Sequence, residues 1–276
     1  MKVLILGSKG SLGQTFVDLY NDHEVFAWDR EELDITDKEK VLESIRNLSP
    51  GLIINCAAYN AVDKAEDEQE FANQINGYAP GFVAEAAALV GGVMVHYSTG
   101  QVFDGSNQEG YNEFDQPKPV NAYGQSKLLG ETELQKNTEK FYLIRTCWLY
   151  GKPAAGKKSF TDLMLEMVEK GPVKAVEDEF GNPTYVLDLA QAARALVDEK
   201  KPFGIYHLTN SGIASRYDWA KEVFAIKALK SDLKPVGSNF FQRKAVRPKY
   251  EVLNNTKFIQ LRPWNEALKE YLDGRR

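Results

Sequence analysis

Short apolar runs alternate with longer amphipathic segments through the first half of the chain. Residues 3–6, 24–28, 52–55, 93–97 and 142–146 read as buried strands, and the stretches near 11–20, 38–48, 68–90 and 122–137 as helices. That alternation predicts a parallel sheet with helices on both faces, a doubly wound α/β fold. From about residue 147 the rhythm changes. Gly151-Lys-Pro153, Gly171-Pro172 and Gly181-Asn-Pro183 separate a helix near 159–170 from another near 185–198. A strand near 204–208 and helices at 215–228 and 263–272 follow. The expectation is a first domain over 1–150 and, over 151–276, mainly a smaller C-terminal lobe with some segments returning to the first domain. In an open α/β sheet, ligands bind outside the C-terminal ends of the strands. A lobe packed there would close over a ligand.

Composition narrows the function classes. With 43% hydrophobic and 26% charged residues, the chain has the make-up of an ordinary globular protein. A net charge of −5 argues against a nucleic-acid partner, which normally leaves a basic footprint. The apolar run at 3–6 ends in a glycine turn and is too short for a signal peptide core or a membrane span. The expected location is cytoplasmic, with no membrane partner. Cys56 and Cys147 lie in apolar surroundings and read as buried thiols rather than a disulfide. His23, His96 and His207 lack metal-ligand spacing, so no metal site is assigned.

The first chemistry-bearing segment is Gly7-Ser-Lys-Gly10-Ser-Leu-Gly13, which follows the first strand and opens the first helix. Glycines there permit a tight turn and close approach of backbone to a pyrophosphate, while the helix N-terminus offers unpaired N–H groups. Asp29 ends the second strand, where an acidic side chain meets an adenosine ribose. Together these predict a Rossmann-type site for NAD or NADP. Cofactor choice stays open. Asp29 would favour NADH by bonding the ribose 2′-hydroxyl, whereas Arg30 or Lys9 could pair with a 2′-phosphate, and both cations read equally well as surface charges. Asp34 and Ile35 would lie beside the adenine.

The second segment is Asn121-Ala-Tyr-Gly-Gln-Ser-Lys127. On a helix, Tyr123 and Lys127 share a face one turn apart. A neighbouring ammonium lowers a phenol from its ordinary value near ~10, which would let Tyr123 act as an acid near neutral pH. The fourth strand ends in His96-Tyr-Ser-Thr99, which puts a hydroxyl at a strand end upstream of that helix.

A strand-end hydroxyl with a Tyr-x-x-x-Lys helix resembles the catalytic set of the short-chain dehydrogenase/reductases, in their extended branch. Over nearly its full length the chain is similar to the dTDP-4-dehydrorhamnose reductase family. The matching stretches include Leu33-Asp-Ile-Thr-Asp37, Asn55-Cys-Ala-Ala-Tyr-Asn-Ala-Val-Asp-Lys-Ala-Glu66, Ile144-Arg-Thr-Cys-Trp-Leu-Tyr-Gly151, Phe180-Gly-Asn-Pro-Thr184 and Arg247-Pro248. The resemblance implies that NADH or NADPH reduces the 4-keto group of a dTDP-linked 6-deoxyhexulose. Tyr123 would protonate the alkoxide, Lys127 would lower its pKa and hold the nicotinamide ribose, and Thr99 would bond the carbonyl. Gly7, Gly10, Ser11, Leu12, Gly13, Asp29, Asp34, Ile35, Ala58, Tyr59, Asn60 and Tyr97 would line the cofactor. Trp148 would sit against the sugar, and Arg247 would either reach the diphosphate or form a surface ion pair. The resemblance also raises a homodimer, and a Mg²⁺ ion held by glutamates at a dimer interface as in some members; no local carboxylate cluster assigns that site here.

The chain departs from the pattern beside Thr99. Where the family reads Ser-Thr-Asp-Tyr-Val-Phe, this sequence reads Ser98-Thr-Gly-Gln-Val-Phe103. Gly100 and Gln101 would therefore change the sugar pocket, or Gln101 would cover the same space as an amide. The same two residues would also suit a non-catalytic NAD(P)-binding partner subunit; a related nucleotide-sugar epimerase is a third reading.

Overall fold

A computed structural model of the chain describes residues 1–154 and 156–274. Six parallel strands form the central sheet: β1 (Lys2–Leu6), β2 (Glu24–Trp28), β3 (Leu52–Asn55), β4 (Val93–Thr99), β5 (Phe141–Thr146) and β6 (Gly204–His207). Their order is β6-β5-β4-β3-β1-β2. The chain steps outward from β1 to β2, then returns across β1 to β3. The crevice where the order reverses therefore opens between the C-terminal ends of β1 and β3.

Helices α1 (Ser11–Leu19) and α6 (Val186–Asp198) cover one face of the sheet, packing with Val3, Ile5, Ile54 and Val95. On the other face, α2 (Lys38–Leu48), α3 (Ala79–Leu89) and α4 (Ala122–Asn137) pack with Leu4, Leu6, Ile53 and Met94. Strands buried on both faces need apolar side chains at successive positions, which is why β1 and β3 read as continuous apolar runs.

A second core gathers around the fully buried Trp219. It combines α5 (Phe160–Val168), α7 (Arg216–Ile226) and α8 (Trp264–Asp273) with the paired strands Val173–Val176 and Leu233–Val236. A small three-stranded sheet, Ala214–Ser215, Phe180–Gly181 and Tyr250–Glu251, lies nearby. Although late in sequence, α6 and β6 belong to the central sheet and its helical cover.

The helix expected over 68–90 is interrupted. Gln69–Ala72 is α-helical, Asn73–Tyr78 forms a turn of π-helix, and α3 resumes at Ala79. Pro80 has no N–H to return to the preceding turn. The Asn76 side chain instead bonds the Tyr59 backbone and the Ser126 hydroxyl. Among the described residues, no helix is long and apolar enough to cross a membrane. Cys147 is buried and Cys56 half-buried, and both are free thiols.

Candidate active site

The glycine loop is built by close packing. Gly7 has φ +73°, a conformation that favours glycine, and a Cβ there would stand 2.6 Å from the Ala57 nitrogen. A Cβ on Gly13 would stand 2.2 Å from the Gly7 carbonyl oxygen. The loop and α1 can therefore sit tightly at the β1–β3 crevice. Among the described residues, Gly10 caps α1 without a side-chain partner for the first-turn N–H groups, and the Ser11 hydroxyl is buried with no partner.

Two cavities meet at this loop, sharing Gly10, Cys56, Ala58, Asn60 and Lys157. The first is lined by Gly7, Asp29, Arg30, Asp34 and Ile35. The second, about 470 Å³, runs past Ser11, Leu12, Gly13, Tyr97, Thr99, Gln101, Tyr123 and Lys127 to Trp148, Arg216 and Glu251, which is ample for a small-molecule site. Asp29 is engaged within the loop: it accepts the Lys9 N–H at 3.0 Å and the Arg30 N–H at 2.9 Å. Arg30 pairs with Asp34 at 3.3 Å, and Lys9 with Glu31 at 2.8 Å. Tyr59, expected to line the cofactor, lines neither cavity; its hydroxyl donates to Glu68.

The end of β4 presents Thr99, whose Oγ1 accepts the Gln101 N–H at 3.1 Å and lies 3.4 Å from Glu251 Oε1. Helix α4 brings Tyr123 and Lys127 to the same wall, and its start is fixed from two sides. The Asn121 carboxamide accepts the Gly124 N–H at 2.7 Å, and Glu66 accepts the Ala122 N–H at 2.9 Å. Asn121 also donates to Gln101 Oε1 at 3.0 Å and to the Val246 carbonyl at 2.8 Å. One side chain thus caps the helix and positions both Gln101 and the segment leading to Arg247.

Lys127 Nζ donates to the Tyr97 carbonyl at 2.6 Å. Burial lowers this ammonium to about 8, against the opposing pull of Glu131. Glu131 is itself committed to Arg145, at 2.7 Å, and to Ser98. The expected lowering of Tyr123 by Lys127 is not found. Burial raises the Tyr123 phenol, the Glu251 carboxylate raises it further, and the Thr99 hydroxyl pulls the other way. Both effects disfavour phenolate, so Tyr123 holds its proton at neutral pH. The Tyr123 hydroxyl stands 3.5 Å from Asn60 Oδ1.

On the far wall, Trp148 adopts φ +50°, a strained conformation for a bulky residue. Its ring lies on Gly181, where a Cβ would stand 2.7 Å from Cε2. Its indole N–H donates to Glu251 Oε2 at 3.1 Å. The Arg216 guanidinium lies 3.7 Å over the Trp148 ring; among the described residues it has no carboxylate within ion-pair distance. Arg247 is engaged by Asp63 at 2.9 Å. The ion-pair alternative for Arg247 is the one found, although it also lines an adjoining cavity with Gln101, Arg216, Arg243 and Glu251. Gly100 is buried and lines neither cavity.

Comparison with known proteins follows this geometry. The family model described as the RmlD substrate binding domain matches residues 1–276. The chain belongs to this family. It is 36% identical to a dTDP-4-dehydrorhamnose reductase of Mycolicibacterium smegmatis, covering 98% of this chain and 84% of that one. A crystal structure of a dTDP-4-dehydrorhamnose reductase from Clostridium acetobutylicum superimposes with TM-score 0.95 at 38% identity, covering 100% and 99% of the two chains. The Bacillus anthracis dTDP-4-dehydrorhamnose reductase in complex with NADP gives TM-score 0.95 at 34% identity, covering 99% of each.

In this member of the RmlD family, two of the stretches that carried the resemblance have definite structural roles. In Ala61-Val-Asp-Lys-Ala-Glu66, Asp63 anchors Arg247 and the Ala245 N–H, while Glu66 caps α4. In Gly181-Asn-Pro-Thr184, Gly181 seats Trp148. Asn182 accepts from the Leu253 N–H at 2.9 Å and donates to the Gly212 carbonyl at 2.8 Å. Sequence reasoning missed Glu251 and Arg216. A Ser215-x-x-Asp218 capping box marks where α7 starts, but nothing local shows that its first residue faces a cavity. For Glu251, the signals were a charge inside the run Tyr250-Glu-Val-Leu253 and a glycine at 100, where the resemblance led to the expectation of an acid.

Proposed function

We propose that this protein uses NADH or NADPH to reduce the 4-keto group of a dTDP-linked 6-deoxyhexulose in the cytoplasm, giving dTDP-L-rhamnose or a close relative. One observation carries the proposal. Thr99, Tyr123 and Lys127 converge on a single cavity that begins at the glycine loop and ends at Trp148 and Arg216.

The loop fits a dinucleotide on its own terms. Gly7 and Gly13 admit backbone where a side chain would collide, and Ser11 Oγ is a buried polar atom without a partner among the described residues. Gly7, Gly10, Ser11 and Leu12 would hold the pyrophosphate, with Asp29, Arg30, Asp34 and Ile35 at the adenosine end. When bound, the reduced nicotinamide supplies hydride. The chain supplies orientation and the proton. Tyr123 Oη, protonated at neutral pH, is the proton source for the carbonyl oxygen. The Thr99 hydroxyl bonds that oxygen and aligns the carbonyl with Tyr123. The Lys127 ammonium, fixed on the Tyr97 carbonyl, places positive charge behind the developing alkoxide, where a dry site makes it most effective. Arg216, which has no carboxylate within ion-pair distance among the described residues, borders the adjoining cavity and offers charge to a diphosphate, whereas Arg243 and Arg247 there are paired with Glu179 and Asp63.

Purified protein given dTDP-4-dehydro-L-rhamnose should consume reduced nicotinamide, followed by loss of its absorbance. Tyr123→Phe should bind cofactor normally and lose about 10²-fold or more in kcat. Turnover by Tyr123→Phe at the wild-type rate would overturn the assignment.

A further inference from the structure

We propose that Glu251 is a substrate-binding residue, whose carboxyl enters the pocket through the space left by Gly100 and binds the sugar hydroxyl next to the reacting carbonyl. The inference rests on reading the cavity as a keto-sugar site. Glu251 sits on the short strand Tyr250–Glu251, in register with Gly181, the residue that seats Trp148. That strand delivers its side chain to the junction of two cavities, one holding Tyr123 and the other bordered by arginines. One carboxyl oxygen is 3.4 Å from Thr99 Oγ1 and the other accepts from the Trp148 indole at 3.1 Å. A group this close to the hydroxyl assigned to the carbonyl can reach an oxygen on the neighbouring carbon.

Gly100 makes the arrangement possible. A Cβ at position 100 would stand 2.7 Å from Glu251 Cγ. Gly100 is not among the glycines with positive φ, so space rather than backbone conformation accounts for the missing side chain. Residues 100 and 251 are therefore a matched pair: one gives up volume and the other brings the acid.

Packing does not explain a carboxyl at this position. Glu251 is 5% exposed and, among the described residues, has no cation within ion-pair distance. The groups facing it are Thr99 from β4, Tyr123 from α4, Cys147 and Trp148 after β5, Arg216 from α7 and Arg247 from its own segment. Arg216 rests on the Trp148 ring and Arg247 is paired with Asp63. Burial pushes the Glu251 carboxyl up to about 7, with Arg216 as the main opposing influence. Near neutral pH the group can thus accept or donate a hydrogen bond. An uncompensated buried acid costs stability, and such groups concentrate where ligands bind.

The test compares wild type, Glu251→Gln, Glu251→Ala and Gly100→Ala in steady-state reduction of the dTDP-keto-sugar across pH. Cofactor affinity and melting temperature serve as folding controls. Glu251→Ala is expected to raise KM about tenfold or more, as for loss of a hydrogen bond to a charged group, with cofactor affinity unchanged. Gly100→Ala, which displaces the carboxyl, is expected to raise KM in the same direction. An ionisation near neutrality in wild-type kcat/KM is expected to vanish in Glu251→Gln. If wild type is active while folded Glu251→Ala keeps its KM and pH profile within about twofold, the inference fails and the reductase reading stands. If wild type neither reduces nor calorimetrically binds any dTDP-sugar, both fail together.

Discussion

The Trp148 ring lies against Gly181, where a Cβ would come within 2.7 Å of it. The contact joins the segment after β5 to the small sheet that also carries Glu251. The Arg216 guanidinium 3.7 Å over the Trp148 ring and the Trp219 ring stacked 6.1 Å away leave that ring little freedom to retreat. Gly181→Ala is expected to cost about 1–3 kcal/mol in stability, as overpacking does. It should lower kcat/KM for the keto-sugar while leaving cofactor affinity intact. Denaturant unfolding and steady-state kinetics on the same preparation would check both.

Asn121 holds three segments at once: the first turn of α4, Gln101 and the Val246 carbonyl. Asn121→Ala is expected to lose about 1 kcal/mol for the cap and a comparable amount for the other bonds. Asn121→Asp separates the roles, because a carboxylate still accepts from the Gly124 N–H but donates nothing. That variant should keep the cap, lose the stability carried by the two donated bonds and so melt below wild type, and show a raised sugar KM. An unchanged KM would show that Gln101 is placed without Asn121.

Lys127 predicts opposite pH trends for activity and stability. Its folded-state value is lowered by burial to about 8, below the ordinary 10.5. Activity that needs the ammonium should fall as pH rises through about 8. Between about 8 and 10.5 the unfolded chain binds more protons at this group than the folded one, so its contribution to stability rises with pH. A pH series of kcat/KM beside one of denaturation midpoints would show the divergence. Lys127→Met should abolish both trends.

Much of the fold was legible because its signals are local. The alternation of apolar strands with amphipathic helices reports a sheet buried on both faces, and β1 to β5 lie where those runs lie. The glycine loop was legible for the same reason: strand, tight turn and helix start are consecutive. The interruption at Asn73–Tyr78 was not, since the side chain of Asn76 is spent on Tyr59 and Ser126 from elsewhere in the chain.

By itself, the sequence determined the doubly wound class, the glycine loop between β1 and α1 and the shared helix face of Tyr123 and Lys127. Each depends on periodicity or on spacings of a few residues. Only the tertiary structure decided how Tyr123 is tuned, because burial and Glu251 raise its phenol while Lys127 turns to the Tyr97 carbonyl. It also decided what stands beside Thr99. Glu251 is 152 residues away in sequence, and a contact of that separation is written in the packing of two sheets rather than in any local pattern. Seen along the chain, Gly100 is a missing side chain. In the fold it is the opening through which a distant acid reaches the pocket.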